Sequence, residues 1–324
     1  LSSIPPVYLD ASALASLVDA PQAVDILARA LAEARIDPED DSPRLFAPAR
    51  AGSEFLMMPT AGQATAGVKV ASLTPANPRA GHPAVQGLYV LFETLHMAPV
   101  AVMDAVELTL VRTPATTVMA ARHLLAARRG PDTAVRRALV FGTGPQAQRH
   151  VSCLAEVLAP EDIAVAGRRP EAVESVVARA RGAGVPARPA SPDTAREVAR
   201  AEVIVCVTGS PTPLFDGAGV RDDAVVCAVG VHGPDKRELP ADLVLRSDIV
   251  VEGRASAMRE SGNLLGARPA QEWAAAPRPP ANLADLVTGR FTPRPDRPAV
   301  FSGVGMAWED LVIASHVHDR HRRP

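Results

Sequence analysis

The sequence predicts an α/β protein in which a doubly wound parallel sheet is joined to a second α+β block of mixed sheet and helices. Three observations predict it. From about residue 138 onward, short β-branched runs alternate with helical patterns, as a parallel sheet covered on both faces requires. Between residues 45 and 111 short apolar strands are instead separated by Pro- and Gly-rich turns. A length of 324 residues suits about two domains.

Composition narrows the class. Apolar residues make up 47% and charged residues 22%, the balance of a folded chain. With 36 acidic and 34 basic residues the net charge is −2, so no basic excess exists to coat a nucleic acid. No apolar run approaches the ~20 residues of a membrane helix. The longest candidate, 88–106, is interrupted by Glu93, His96 and Asp104. Residues 1–6 lack the basic and apolar regions of a secretory leader. Three cysteines, Cys153, Cys206 and Cys227, are too few and too scattered for a disulfide framework or a zinc site. A cytoplasmic location and no metal are therefore expected, with Cys206 and Cys227 as buried core thiols.

Along the chain, Asp10 reads as the N-cap of a short helix, and a second helix follows Pro21 with Val24, Ile26, Leu27 and Leu31 on its apolar side. Residues 37–42 read as a polar loop. Strands are expected at 55–58, 67–71 and 88–92. A helix from about Pro114 to Arg128 leads to Arg129-Gly130-Pro131, a candidate boundary. Beyond it, strands are expected at 138–141, 163–165, 203–207, 225–229 and 249–251, with a helix over 171–181. Residues 274–298, rich in Pro and Arg, read as surface, and a last helix runs from about Met306 to Val317.

The strand at 138–141 runs directly into Gly142-Thr143-Gly144-Pro145-Gln146-Ala147, the Gly-x-Gly-x-x-Gly/Ala fingerprint of a Rossmann-type dinucleotide site. Gly142 permits the tight turn and Gly144 lets the backbone approach a pyrophosphate. Ala147 is small enough for close packing of the helix, whose N-terminus favours phosphate. At the end of the next strand stands Ala166-Gly167-Arg168-Arg169-Pro170. An acid there would hold a ribose 2′-hydroxyl. Arg168 and Arg169 suit a 2′-phosphate instead, so NADP(H) is expected over NAD(H); otherwise the pair simply solvates a helix start. Thr208 and Ser210, in Thr208-Gly209-Ser210-Pro211, follow a later strand and either line the nicotinamide ribose or form a plain turn.

All but two of the 34 basic residues are arginine. The exceptions are Lys69 and Lys236. Lysine offers what guanidinium does not, a compact charge that can release its proton. Lys69 lies in Gly67-Val68-Lys69-Val70, a buried-looking strand, where it is either an edge lysine or a cation with a partner or a task. Arg44 and Arg112 are similarly isolated, and Arg112 reads as sitting just before a helix start, a place that favours anions. The three cations are either unrelated or converge on a substrate carboxylate. Asp235 to Glu238 reads as a solvated turn of mixed charge.

Taken together, Met57-Met58-Pro59, Gly67-Val68-Lys69-Val70, Asn77-Pro78, Val85-Gln86-Gly87, Leu110-Val111-Arg112-Thr113, the Gly142 loop, Gly233-Pro234-Asp235-Lys236-Arg237-Glu238, Glu260-Ser261-Gly262, Ser302-Gly303-Val304-Gly305 and Glu309-Asp310-Leu311 resemble, in order and spacing, the ornithine cyclodeaminase/mu-crystallin family. The resemblance implies a homodimer. It implies a substrate-binding and dimerisation domain over 1–115, to which 306–324 return, and a Rossmann domain over 116–305. By the same resemblance Arg44, Lys69 and Arg112 match the family's carboxylate clamp, and Val304 and Gly305 the segment near the nicotinamide. Members carry out hydride chemistry at an amino-acid α-carbon. Two departures separate this chain from the cyclodeaminases: His232 stands where they carry an aspartate, and Leu56 where they carry a glutamate.

The expected activity is therefore NADPH-dependent reduction of a cyclic α-imino acid such as pyrroline-2-carboxylate or piperideine-2-carboxylate, or the reverse dehydrogenation. Lys69 acts either as a proton donor to the imine or as a fixed charge, and His232 is either a donor or a loop residue bonded to backbone. A cyclodeaminase releasing ammonia, and a non-catalytic NADPH-binding protein, are the competing expectations.

Overall fold

From Gly67 to Ala71 alternate side chains turn inward: Gly67, Lys69 and Ala71 are buried and Val70 is exposed. This period of two is that of a strand with one face covered. The computed structural model describes residues 5–40, 42–50, 52–131 and 133–323. The leader reading therefore falls largely on positions outside the described residues, as does Asp41 of the polar loop. The chain forms two units, Leu1–Arg112 with Met306–Pro324, and Thr113–Gly305.

The first unit holds a six-stranded sheet of β1 (Val7–Leu9), β2 (Leu45–Pro48), β3 (Glu54–Ala61), β4 (Thr65–Leu73), β5 (Val85–Glu93) and β6 (Pro99–Asp104). Its order is β1-β6-β5-β4-β3-β2, with β1 parallel to β6 and every other pair antiparallel. Two short helices precede β2. Asp10 caps Ala11–Leu17 by accepting from Ala13 N–H at 2.8 Å, and Asp19 caps Ala20–Ala32 in the same way through Gln22 N–H. The terminal helix Ala307–His321 lies against β3 and β4, tied by the Thr65 and Ser315 hydroxyls 2.7 Å apart. Leu56, Met58 and Ala71 form an apolar cluster with Ala307 beneath it.

The second unit is an eight-stranded, all-parallel sheet. Its strands are β7 (Arg137–Phe141), β8 (Asp162–Ala166), β9 (Ala187–Pro189), β10 (Val203–Cys206), β11 (Val225–Ala228), β12 (Asp248–Val251), β13 (Ala281–Asn282) and β14 (Ala299–Ser302). The order is β13-β12-β14-β11-β10-β7-β8-β9. Its direction of winding reverses between β7 and β10, where a doubly wound sheet opens a crevice at the carboxyl ends of its strands. Cys206 and Cys227 lie fully buried in β10 and β11.

Four expectations change. The helix read as beginning at Pro114 runs from Ala105 to Arg129, with Pro114 inside it. Asp104 supplies the cap, accepting from Glu107 N–H at 2.8 Å, and the helix accommodates the donor that proline lacks. The chain thus passes between units inside a helix, and Arg129-Gly130-Pro131 marks no boundary. Arg112 lies about two turns inside this helix, so the anion preference of a helix start does not apply to it. The 274–298 stretch is only partly surface, because Leu283 and Leu286 are buried on a short helix after β13. No helix among the described residues is long and apolar enough to cross a membrane.

Candidate active site

The second unit builds a cradle at its switch point. Gly142 adopts φ +138°, and a Cβ there would stand 2.7 Å from the Val207 carbonyl oxygen. Glycine is thus required by conformation and by space. Gly144 caps the helix Pro145–Val157, and a Cβ on it would meet nothing within 4 Å, so the space beside that helix start is open. Ala147 is fully buried against the sheet. A cavity of about 500 Å³ opens here, lined among others by Thr143, Gly144, Arg168, Thr208 and Ser210. Arg168 is exposed at its rim, and Arg169 is the exposed residue preceding the helix Pro170–Gly182. The glycine turn, open helix start and two guanidiniums fit the diphosphate and phosphate groups of a dinucleotide.

Buried carboxylates hold the loops around this edge. Glu238, read from sequence as part of a solvated turn, is fully buried. Its Oε1 accepts from Thr208 N–H at 2.6 Å and from the Thr208 hydroxyl at 2.8 Å, and its Oε2 accepts from Gly230 N–H at 2.8 Å. Burial pushes its carboxyl above the ordinary range, against the effect of these donors. The Glu238 and Leu239 N–H groups donate to Asn263 Oδ1. Glu252 does the same for the last loop, accepting from Val304 N–H at 2.8 Å and Gly305 N–H at 2.8 Å. Gly305 has φ +79°, a left-handed turn natural to glycine. His232 is exposed on the loop after β11.

The first unit gathers the isolated cations. Lys69 points inward from β4 and its Nζ donates to Asp310 Oδ2 at 2.7 Å. Arg112 donates from Nη1 to Glu309 Oε2 at 2.6 Å, and its Nε lies 3.3 Å from Asp310 Oδ1. Lys69 and Arg112 thus share the Asp310 carboxylate, and all four side chains are buried. Arg44 is half-buried before β2 and close enough to bear on the Lys69 proton. Burial lowers the Lys69 pKa from 10.5, Asp310 opposes that, and the charges of Arg112 and Arg44 add to the lowering. The result is a lysine that keeps its proton less firmly than an exposed one. Glu309 and Asp310 stand within the family motif, but their part as counter-charges was not read from it, because they lie 197 and 241 residues from Arg112 and Lys69.

Fold and cradle define a two-unit protein of the dinucleotide-binding α/β class. The family model for the ornithine cyclodeaminase/mu-crystallin family matches residues 9–323, and the chain belongs to that family. It is 30% identical over 319 residues to Delta(1)-pyrroline-2-carboxylate reductase 2 of Burkholderia ambifaria, covering 98% of this chain and 96% of that protein. A probable ornithine cyclodeaminase from Bordetella pertussis Tohama I superposes with a TM-score of 0.84 at 30% identity, covering 98% of this chain and 97% of that one. The Delta(1)-pyrroline-2-carboxylate reductase of Thermococcus litoralis, solved in complex with NADH and L-proline, has the same fold, with a TM-score of 0.83 at 23% identity and 97% of each chain covered.

Proposed function

We propose that this protein is an NADPH-dependent reductase of cyclic α-imino acids, acting on pyrroline-2-carboxylate, piperideine-2-carboxylate or both. The observation that carries this reading is the buried Lys69–Asp310–Arg112 cluster, a set of charges suited to hold a carboxylate and protonate the nitrogen beside it. Arg44 and Arg112 hold the acid group. Lys69 holds the proton that the imine nitrogen takes up, its grip loosened by burial and by the neighbouring cations. A bound dinucleotide would supply the hydride for the imine carbon. Gly142, Thr143, Gly144, Gln146 and Ala147 would hold its diphosphate, and Thr208, Ser210, Val304 and Gly305 would line its nicotinamide end. His232, exposed while a buried lysine is at hand, is a loop residue in this reading.

Leu56 argues against a diamino substrate. It sits in the apolar cluster with Met58 and Ala307, and position 56 itself offers no carboxylate to a side-chain amine. A homodimer is supported by the outer face of the six-stranded sheet, where Phe55, Val70 and Leu88 are exposed. Val70 and Leu88 are paired across β4 and β5. Such an apolar face is one that a second copy covers.

Arg168 at the cavity rim, with no acid over 166–170, supports NADP(H) over NAD(H). Rates of cofactor oxidation with both imino acids test the whole reading. NADPH is expected to exceed NADH in kcat/KM by roughly 10- to 100-fold, the value of one or two charge-assisted bonds. Replacing both Arg168 and Arg169 with alanine is expected to remove most of that preference. A preference for NADH overturns the NADP assignment. Ammonia release from ornithine or lysine without change in free cofactor indicates a cyclodeaminase. Tight NADPH binding with no turnover of any imine indicates a carrier.

A further inference from the structure

At the amino ends of β7 and β8 the second unit carries a pocket that the nucleotide reading does not use. Arg137 and Asp162 are the first residues of these strands and pair across them. The glycine turn instead follows the last residue of β7, about 13 Å away by the rise of a five-residue strand. The pocket has a volume of about 390 Å³. Arg188 of β9 lines it too, with Ser191 from the loop after β9 and Arg196, Glu197 and Arg200 from the helix Thr194–Arg200.

Four guanidiniums face two carboxylates here, so the lining carries a net charge of +2. Both carboxylates are already committed. Arg188 donates from Nε and Nη2 to Asp162 at 2.9 and 2.8 Å, and from Nη1 and Nη2 to Glu197 at 2.7 and 2.9 Å. Glu197 Oε1 also accepts from Ser191 N–H at 2.9 Å. The hydrogen bonds of Arg188 hold the Glu197 carboxyl below its ordinary range, and the Arg200 charge adds to this. One guanidinium thus closes both acids. Arg137, Arg196 and Arg200 are exposed and make no ion pair among the described residues. Arg196 and Arg200 stand four residues apart on one helix, where like charges are neighbours and repel. Arg200, in the last turn, suits the carbonyl end of that helix. That preference does not place Arg196, a turn earlier, or Arg137, at the start of a strand.

We propose that this pocket binds a small phosphate ester, separately from the nucleotide cavity. A phosphate offers three terminal oxygens and close to two negative charges at neutral pH. The oxygens answer three guanidinium forks, and the charge answers the net +2 of the lining. The Ser191 hydroxyl accepts from Asp193 N–H at 3.2 Å and keeps its own proton to donate. The pocket is larger than a bare phosphate and leaves room for the organic part of an ester.

Calorimetric titration tests this, with inorganic phosphate and glycerol phosphate as probes, on the protein with and without NADPH. One glycerol phosphate is expected to bind per chain, with or without the nucleotide. Arg137→Ala and Arg196→Ala should each weaken it roughly tenfold, the value of a charge-assisted bond. The pair Arg196→Ala and Arg200→Ala together should abolish measurable binding. Arg79→Ala, at an exposed arginine of the first unit, should leave it unchanged. The three arginines are exposed, so the variants should melt close to the parent protein. Glycerol phosphate should raise the melting temperature of the parent and not that of the double variant. Absence of binding at millimolar concentration overturns the proposal, as does binding that the double variant retains. Binding that NADPH abolishes overturns it as well, because the phosphate then belongs to the nucleotide cavity. Binding of inorganic phosphate but not of the ester overturns the ligand class.

Discussion

Lys69→Met is expected to lower kcat/KM for imine reduction by roughly 10²- to 10⁴-fold, the span of a lost general acid, while NADPH affinity stays within about twofold. The nucleotide cradle is built from residues of the other unit, none of which the substitution alters. Stability should fall too. Breaking a buried pair leaves Asp310 with Arg112 alone, at a cost on the order of 3 kcal/mol. Kinetics and nucleotide titration therefore belong well below the melting transition of the variant. Lys69→Arg separates the two tasks of this residue. Guanidinium keeps the positive charge but does not release a proton. If Lys69 serves only as a fixed charge, the arginine variant keeps most of its activity. If it is the acid, both variants fail together. Loss of NADPH binding along with folding would make the residue structural.

The second large effect is expected at Glu238. Glu238→Gln should weaken NADPH binding by roughly 10- to 100-fold, with the secondary structure retained. A carboxylate accepts at both oxygens, and here one oxygen serves the Thr208 N–H and hydroxyl while the other serves Gly230 N–H. Glutamine has one acceptor end and one donor end. Whichever way it turns, its NH₂ meets a backbone N–H in a fully buried position, and one loop must move away. Thr208 lines the nucleotide cavity, so the displacement reaches the cofactor. Calorimetric titration of NADPH into the variant measures it, and an unchanged Kd would mean that the Thr208 loop is not a wall of the site.

The cradle was legible because its demands are local. A tight turn, a close backbone approach and a helix start are written in consecutive residues, Gly142 to Ala147, and the strand before them ends where expected. Most of the longer strands of both sheets were legible through alternation or through continuous apolar runs, though β6 was not among those expected. Nor was the strand β14, though it lies between β11 and β12. Four residues after a Pro- and Arg-rich stretch carry too short a pattern to stand out from their surroundings. The start at Ala105 was hidden by Pro114, which as an isolated signal marks a helix beginning more often than an interior. Glu238 was misjudged because a charged run resembles solvent-facing chain, whereas its partners are backbone N–H groups that no side-chain pattern reveals. Glu309 and Asp310 became the partners of Arg112 and Lys69 only once the terminal helix lay on β4, a contact that sequence neighbours do not encode.

The most direct measurement is a crystal structure of the protein with NADP⁺ and L-proline, the reduced counterpart of pyrroline-2-carboxylate. The account predicts the proline carboxylate against Arg44 and Arg112, with its ring nitrogen within hydrogen-bond reach of Lys69 Nζ. A carboxylate bound away from all three cations, with Lys69 still closed on Asp310, would contradict it.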